Sequence, residues 1–125
     1  MTGSSAEAAQ PLLVACLCAA WCGSCREYRA TFDALGRSFG GQVDFVWVDV
    51  EDEADALGDL DIEDFPTLLI AHGDTMLFLG PVTPQAQTAE RLVRSAMDRE
   101  LEPAATEHPE LPAQVRAVAA RGGSR

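Results

Sequence analysis

Leu12-Leu13-Val14-Ala15-Cys16-Leu17-Cys18-Ala19-Ala20-Trp21-Cys22-Gly23-Ser24-Cys25 decides how this chain is read. Leu12 to Cys18 is a nearly unbroken apolar run, the pattern of a strand buried on both faces. Gly23-Ser24 breaks it. Beyond the break, Tyr28, Phe32, Leu35 and Phe39 recur at steps of four, three and four, which is one face of an amphipathic helix. Arg26, Arg29, Asp33 and Arg37 fall mostly on the other face. Gly40-Gly41 supplies the left-handed stop such a helix needs. Val43 to Asp49, rich in β-branched and aromatic residues, reads as a second strand. Strand, helix and strand in this order make a right-handed βαβ unit with parallel strands.

Downstream, Glu51 to Asp61 reads as a short acidic helix, with Asp52 or Glu53 stabilising its N-terminal end. Thr67 to Ala71 and Thr75 to Leu79 read as strands joined by the tight turn His72-Gly73-Asp74, an antiparallel hairpin. Gly80-Pro81 ends it. Leu92, Val93, Ala96 and Leu101 mark the next helix, with Thr83 or Thr88 as its cap. After Glu102 the composition shifts to Pro and Ala, so 103–110 reads as a linker. Leu111, Val115, Val118 and Ala119 mark a short helix over 111–120. The expected architecture is α/β: a four-stranded mixed sheet with helices on both faces. It forms one domain over 12–102, between a flexible N-terminus at 1–11 and a C-terminal tail at 103–125.

The formal net charge is −11 and every basic residue is Arg. Such a surface disfavours nucleic acid and anionic lipid and favours neutral or basic partners. No apolar run approaches the roughly 20 residues of a membrane span. The start MTGSSAEAAQ has no basic residue and does not resemble a secretory leader, so a cytoplasmic protein is expected. Cys16, Cys18, Cys22 and Cys25 fall within ten positions. A disulfide scaffold spreads its cysteines to staple distant segments; this cluster marks one local site.

The position of Cys22-Gly23-Ser24-Cys25 between a strand and a helix has chemical meaning. The first helical turn has unpaired N–H groups and a partial positive charge, which stabilise a thiolate. Only the thiolate attacks a disulfide. Cys22, at the exposed edge of the turn, is the expected nucleophile. Cys25, one turn deeper, is placed to attack the resulting mixed disulfide and release the substrate. A C-x-x-C also occurs as half of a zinc site, so position in the fold is what favours redox chemistry here.

These residues resemble the thioredoxin family. Trp21-Cys22-Gly23-Ser24-Cys25 is similar to that family's Trp-Cys-Gly-Pro-Cys, and Phe65-Pro66-Thr67-Leu68-Leu69, about 40 positions on, is similar to its cis-proline segment. The resemblance covers roughly residues 12–100. It implies a thioredoxin-like fold lacking the usual N-terminal strand and helix. It implies an enzyme that exchanges protein disulfides through a Cys22–Cys25 couple, with no cofactor or metal. Pro66 is then cis and faces the couple. Trp21, Gly23, Ser24, Asp64, Phe65 and Pro66 contact substrate, and the backbone of Phe65 pairs with an extended segment of it. Partners are protein disulfides and a reductase or thiol electron donor; the chain is a monomer or weak dimer.

The sequence departs from the family in four respects. Cys16 stands where the family usually has a buried Asp that helps deprotonate the second cysteine, and a buried thiol is a poor substitute base, so slower resolution is expected. Ser24 replaces Pro, so a reduction potential above thioredoxin's roughly −270 mV is expected. With the first strand and helix missing, the strand at 43–49 is left as an edge that 111–120 or a second subunit must cover. Nine acidic residues lie between Asp49 and Asp64; most read as a solvated face, but Asp61, Glu63 and Asp64 approach the groove and favour basic partners.

Cys16 and Cys18 share one parity and point to one face. They read as inert buried thiols; exchange of one of them with Cys25 requires a Cα separation within about 7 Å. Two other functions remain open: a metal or iron–sulfur site built from all four cysteines, and a binding module that uses the groove to hold a client.

Overall fold

The computed structural model describes residues 12–19, 22–57, 60, 62, 65–104 and 106–120. Trp21, Asp61, Glu63 and Asp64, together with the two termini at 1–11 and 121–125, lie outside the described residues. Strand β1 (Leu12–Cys18) is followed by helix α1 (Gly23–Ser38), β2 (Val43–Asp49), α2 (Ala54–Leu57), β3 (Thr67–His72), β4 (Thr75–Pro81), α3 (Ala86–Met97) and α4 (Leu111–Ala120). The sheet order is β2-β1-β3-β4. β1 runs parallel to β2 and antiparallel to β3, and β3 pairs antiparallel with β4. This is the expected four-stranded mixed sheet.

β1 is central, and all seven of its residues are buried. Its alternation still sorts them by face. Leu12, Val14, Cys16 and Cys18 join the apolar layer beneath α1 and α3, with Tyr28, Phe32, Leu68, Ile70 and Val93. Leu13, Ala15 and Leu17 join the opposite layer, with Leu69, Leu57, Leu111 and Val115 from β3, α2 and α4. β4 breaks the alternation once. Ile70 pairs with Phe78 but Ala71 with Met76, so Leu77 is an extra residue at a bulge. Leu77 and Phe78 consequently lie on the same face.

Helix α1 ends as its sequence requires. Phe39 is the C-cap, and Gly40 follows at φ +64°, in the left-handed region, donating its N–H to Arg37 O at 3.2 Å. At the β3–β4 turn, Gly73 likewise takes φ +62°.

Several boundaries differ from the sequence reading. The acidic helix is a single turn, Ala54–Leu57. It is preceded by a turn in which Asp49 Oδ1 accepts from the N–H of Glu51 at 2.9 Å and of Asp52 at 3.1 Å. The cap of α3 is Gln85, not Thr83 or Thr88; those two hydroxyls bond each other at 2.6 Å instead. Leu101 lies beyond α3, because the chain leaves the helix at Asp98 and Arg99 takes φ +61°.

The largest difference concerns 103–120. The segment is part of the domain, not a tail. Ala104 N–H donates to Met76 O on β4 at 2.8 Å. Arg116 Nη2 on α4 donates to Gly73 O at the hairpin turn, 3.3 Å away. Leu111, Val115 and Val118 are fully buried. α4 therefore covers the second face of the sheet, beside α2 and β2. It does not extend the sheet: among the described residues, β2 pairs with β1 alone. No described helix is long and apolar enough to cross a membrane.

Candidate active site

The site is assembled where β1 runs out. Its register with β3 pairs Leu17 with Thr67, so Cys18 and Pro66 are the next residues along their two strands. The Phe65–Pro66 peptide is cis. Pro66 O accepts from the N–H of Val82 at 3.0 Å, which fixes the segment against the far end of β4. Phe65 is half-buried and packs on the same apolar layer as Cys22 and Cys25.

From Cys18 the chain turns into α1. Cys22 N–H donates to Ala19 O at 3.0 Å, and Cys22 O accepts the first helical bond from Arg26 N–H at 3.2 Å. Cys22 is the N-cap, with extended φ −82° and ψ 123°, and the first turn of α1 contains no acidic residue. The positive end of the helix is therefore unopposed within the helix where the Cys22 sulfur lies. Gly23 and Ser24 are exposed, Cys22 is half-buried, and Cys25 is 1% exposed. Among the described residues, a Cβ on Gly23 would meet nothing within 4 Å.

The bonded pair is not the expected one. Cys25 forms its disulfide with Cys18, across a Cα separation of 5.8 Å, while Cys22 and Cys16 are free thiols. Cys18 is thus not an inert thiol. Two facts of sequence combine to bring it to Cys25: parity turns it toward the α1 face, and α1 starts so soon after β1 that its first turn lies against the strand end. Parity was legible; the approach of residue 18 to residue 25 was not, because it depends on the path of the intervening loop.

Cys16 extends the cluster inward, with its Sγ 3.8 Å from that of Cys18. Burial pushes its thiol pKa far up, and the nearby Arg29 guanidinium only partly opposes this. At neutral pH Cys16 is therefore a neutral thiol that does not serve as a base. Arg29 is held between Trp47, whose ring centroid is 4.9 Å from its Cζ, and Asp33, whose Oδ2 is 3.7 Å from its Nε. Among the described residues, no group of three His, Cys, Asp or Glu side chains converges to hold a metal.

Tyr28 packs beneath α1 with its hydroxyl buried and without a hydrogen-bond partner among the described residues. Burial first, and Cys16 second, push its pKa from the ordinary 10.0 up to about 12. Folding raises this pKa, so ionisation costs the folded state nothing below about pH 10 and destabilises it as pH climbs toward 12, on the order of 2 kcal/mol in all. Tyr28 is the chain's only tyrosine, so absorbance near 295 nm reads it alone. The folded protein should titrate well above the urea-unfolded one. Tyr28→Phe should abolish the transition and leave stability equal or about 1 kcal/mol higher, because a buried unpaired hydroxyl is removed. Equal titration in folded and unfolded chains would contradict this placement.

Comparison with known proteins agrees with the fold. The chain is 29% identical to thioredoxin of Bacillus subtilis strain 168 over 66 residues, 53% of this chain and 64% of that protein. It therefore spans just under two thirds of that relative. Among solved structures, thioredoxin from Trypanosoma brucei brucei superposes with a TM-score of 0.62 at 21% identity, covering 78% of this chain and 84% of that one. Mitochondrial thioredoxin 3 from Saccharomyces cerevisiae, in its oxidised form, gives 0.60 at 18% identity, covering 75% and 87%. Such distant structures speak for the fold alone. The sequence pattern of the family described as Thioredoxin matches residues 4–95, from before β1 to within α3. With strand order, helix placement and this match in agreement, the chain belongs to the thioredoxin family.

Proposed function

We propose that this chain is a thiol–disulfide oxidoreductase that acts on protein disulfides, with Cys22 as nucleophile and Cys25 as resolving thiol. One observation carries the reading: a half-exposed free thiol caps a helix whose first turn also carries a buried cysteine already engaged in a disulfide. In the first step the Cys22 thiolate attacks one sulfur of a substrate disulfide. A mixed disulfide forms and the other substrate sulfur leaves as a thiolate. In the second, reduced Cys25 attacks Cys22 Sγ, the Cys22–Cys25 disulfide forms, and the second substrate thiolate departs. Each turnover oxidises two protein thiols and reduces one substrate disulfide, so a reductase or small dithiol must restore the pair.

Gly23 and Ser24 are exposed beside Cys22 in the chain, and half-buried Phe65 packs on the same apolar layer as Cys22; with Pro66 they make up the proposed contact surface for an extended substrate. Trp21 and Asp64 belong to the same proposed contact surface by their place in the sequence. The proposed setting is the cytoplasm, where thiols are kept reduced. Reduction of insulin disulfides in the presence of a dithiol tests the reading. Cys22→Ser should lower the rate by more than about 100-fold, to the background of the dithiol alone. A Cys22→Ser chain as active as wild type would overturn it, and a wild-type chain that binds unfolded clients without reducing them would favour a binding module.

A further inference from the structure

We propose that Cys18 is a second, interior partner for Cys25, so that the oxidised chain exists as two disulfide isomers with different surface chemistry. One carries Cys22–Cys25 at the start of α1. The other carries Cys18–Cys25 inside the fold and presents Cys22 as a lone thiol. The first isomer rests on the function proposed above; the second is the pairing seen in the structure.

Geometry favours the interior isomer. The Cα atoms of Cys18 and Cys25 are 5.8 Å apart, inside the span disulfides accept. Cys18 ends the central strand: its O accepts from Val50 N–H at 2.8 Å, it pairs with Asp49 of β2, and β3 pairs with β1 as far as Leu17, the residue before it. Both sulfurs belong to the apolar layer beneath α1, with Cys18 0% and Cys25 1% exposed. Cys22, by contrast, is half-buried and unbonded.

The isomers interconvert without any external oxidant. The Cys18 thiolate attacks Cys25 Sγ of the Cys22–Cys25 disulfide. The Cys18–Cys25 bond forms as the Cys22–Cys25 bond breaks, Cys22 leaves as a thiolate, and it takes up, through solvent, the proton that Cys18 gave up. Each side has one disulfide and the same number of thiols, and no electrons are gained or lost.

The consequence is a change of activity. With Cys25 tied to Cys18, Cys22 can still attack a disulfide, but nothing stands ready to resolve the product. The interior isomer captures one disulfide-bearing molecule, a protein or oxidised small thiol, and holds it covalently. External thiols have little access to a disulfide this deeply buried, so its way back is attack by Cys22 on Cys25, the reverse of the step that made it.

The full-length protein tests this directly. It is oxidised with diamide, its native free thiols are counted with Ellman's reagent, and a parallel sample is acid-quenched, alkylated and cut with chymotrypsin. Cleavage after Trp21 separates Cys16 and Cys18 from Cys22 and Cys25, and cleavage after Leu17 separates Cys16 from Cys18. The expected map links the Cys18 peptide to the Cys22–Cys25 peptide with the alkyl group on Cys22, and about one fast-reacting thiol per oxidised chain. Cys18→Ala should lose that link, carry Cys22–Cys25 instead, and show no fast thiol when oxidised. A wild-type map with only Cys22–Cys25, or with Cys16 as the partner of Cys25, overturns the proposal even if the variant fails to fold. Insulin reduction by the same samples separates the two ideas. Activity lost in Cys22→Ser, together with a Cys22–Cys25-only map, sinks the isomer alone; activity retained in Cys22→Ser sinks the parent function.

Discussion

Cys25→Ser should lower steady-state insulin reduction by more than about 100-fold and, mixed with a disulfide substrate without dithiol, should stay covalently joined to it. The two halves of that result come from different residues. Capture needs only Cys22, which keeps its place as the N-cap of α1 and its partial exposure in the variant. Release needs a second sulfur within reach of the mixed disulfide, and a serine hydroxyl does not attack sulfur at neutral pH. Cys18 is freed by the substitution, but it lies at the buried end of β1 and faces the position that Cys25 occupied. Non-reducing electrophoresis and intact-mass measurement should show a complex that a dithiol dissolves. Turnover within about threefold of wild type would remove Cys25 from the mechanism, and turnover retained by Cys25→Ser but lost by Cys18→Ala with Cys25→Ser would assign resolution to Cys18. The variant also loses the disulfide between positions 18 and 25. For so short a loop this costs roughly 2–3 kcal/mol on the loop-entropy account, so its folding needs checking by circular dichroism before its rate is read.

The course of the chain from β1 to β4 could be read from the sequence because each element there carries its own local signal. Leu12–Cys18 is apolar without interruption and proves central; Tyr28, Phe32, Leu35 and Phe39 keep helical spacing and prove buried or nearly so; Gly40 and Gly73 take the left-handed conformations their positions called for. Readings failed where the deciding contact was distant in sequence. Nothing local reveals that Cys18 reaches Cys25, that Thr83 and Thr88 bond each other rather than cap α3, or that Ala104 joins β4. The Pro- and Ala-rich composition of 103–110 was a sound signal for irregular backbone. It carried no information about whether that backbone was packed, and the apolar face of 111–120 was the better guide.

That face leads to the expectation with the largest effect on stability. Val115→Asp should destabilise the chain by more than about 4 kcal/mol, a large share of the 5–15 kcal/mol that holds a typical domain together. Val115 is 0% exposed and packs in the layer with Leu13, Leu17, Leu69 and Leu111. A carboxylate placed there has no cation in that apolar cluster to pair with, so it must either take up a proton or pull α4 away from the sheet. Pulling α4 away uncovers β1 on one of its two faces, and β1 is the strand on which both β2 and β3 depend. Ending the chain after Glu102 should do the same by another route, since it also removes the bond from Ala104 to Met76. Ala113→Asp is the control: it adds the same charge to the same helix at an exposed position near its N-terminal end, and should change stability by no more than about 0.5 kcal/mol. Urea denaturation of the three proteins distinguishes the cases. If Val115→Asp and the shortened chain unfold at the wild-type midpoint, α4 does not hold the second face, and the sheet must be covered there by something other than this chain's own C-terminal helix.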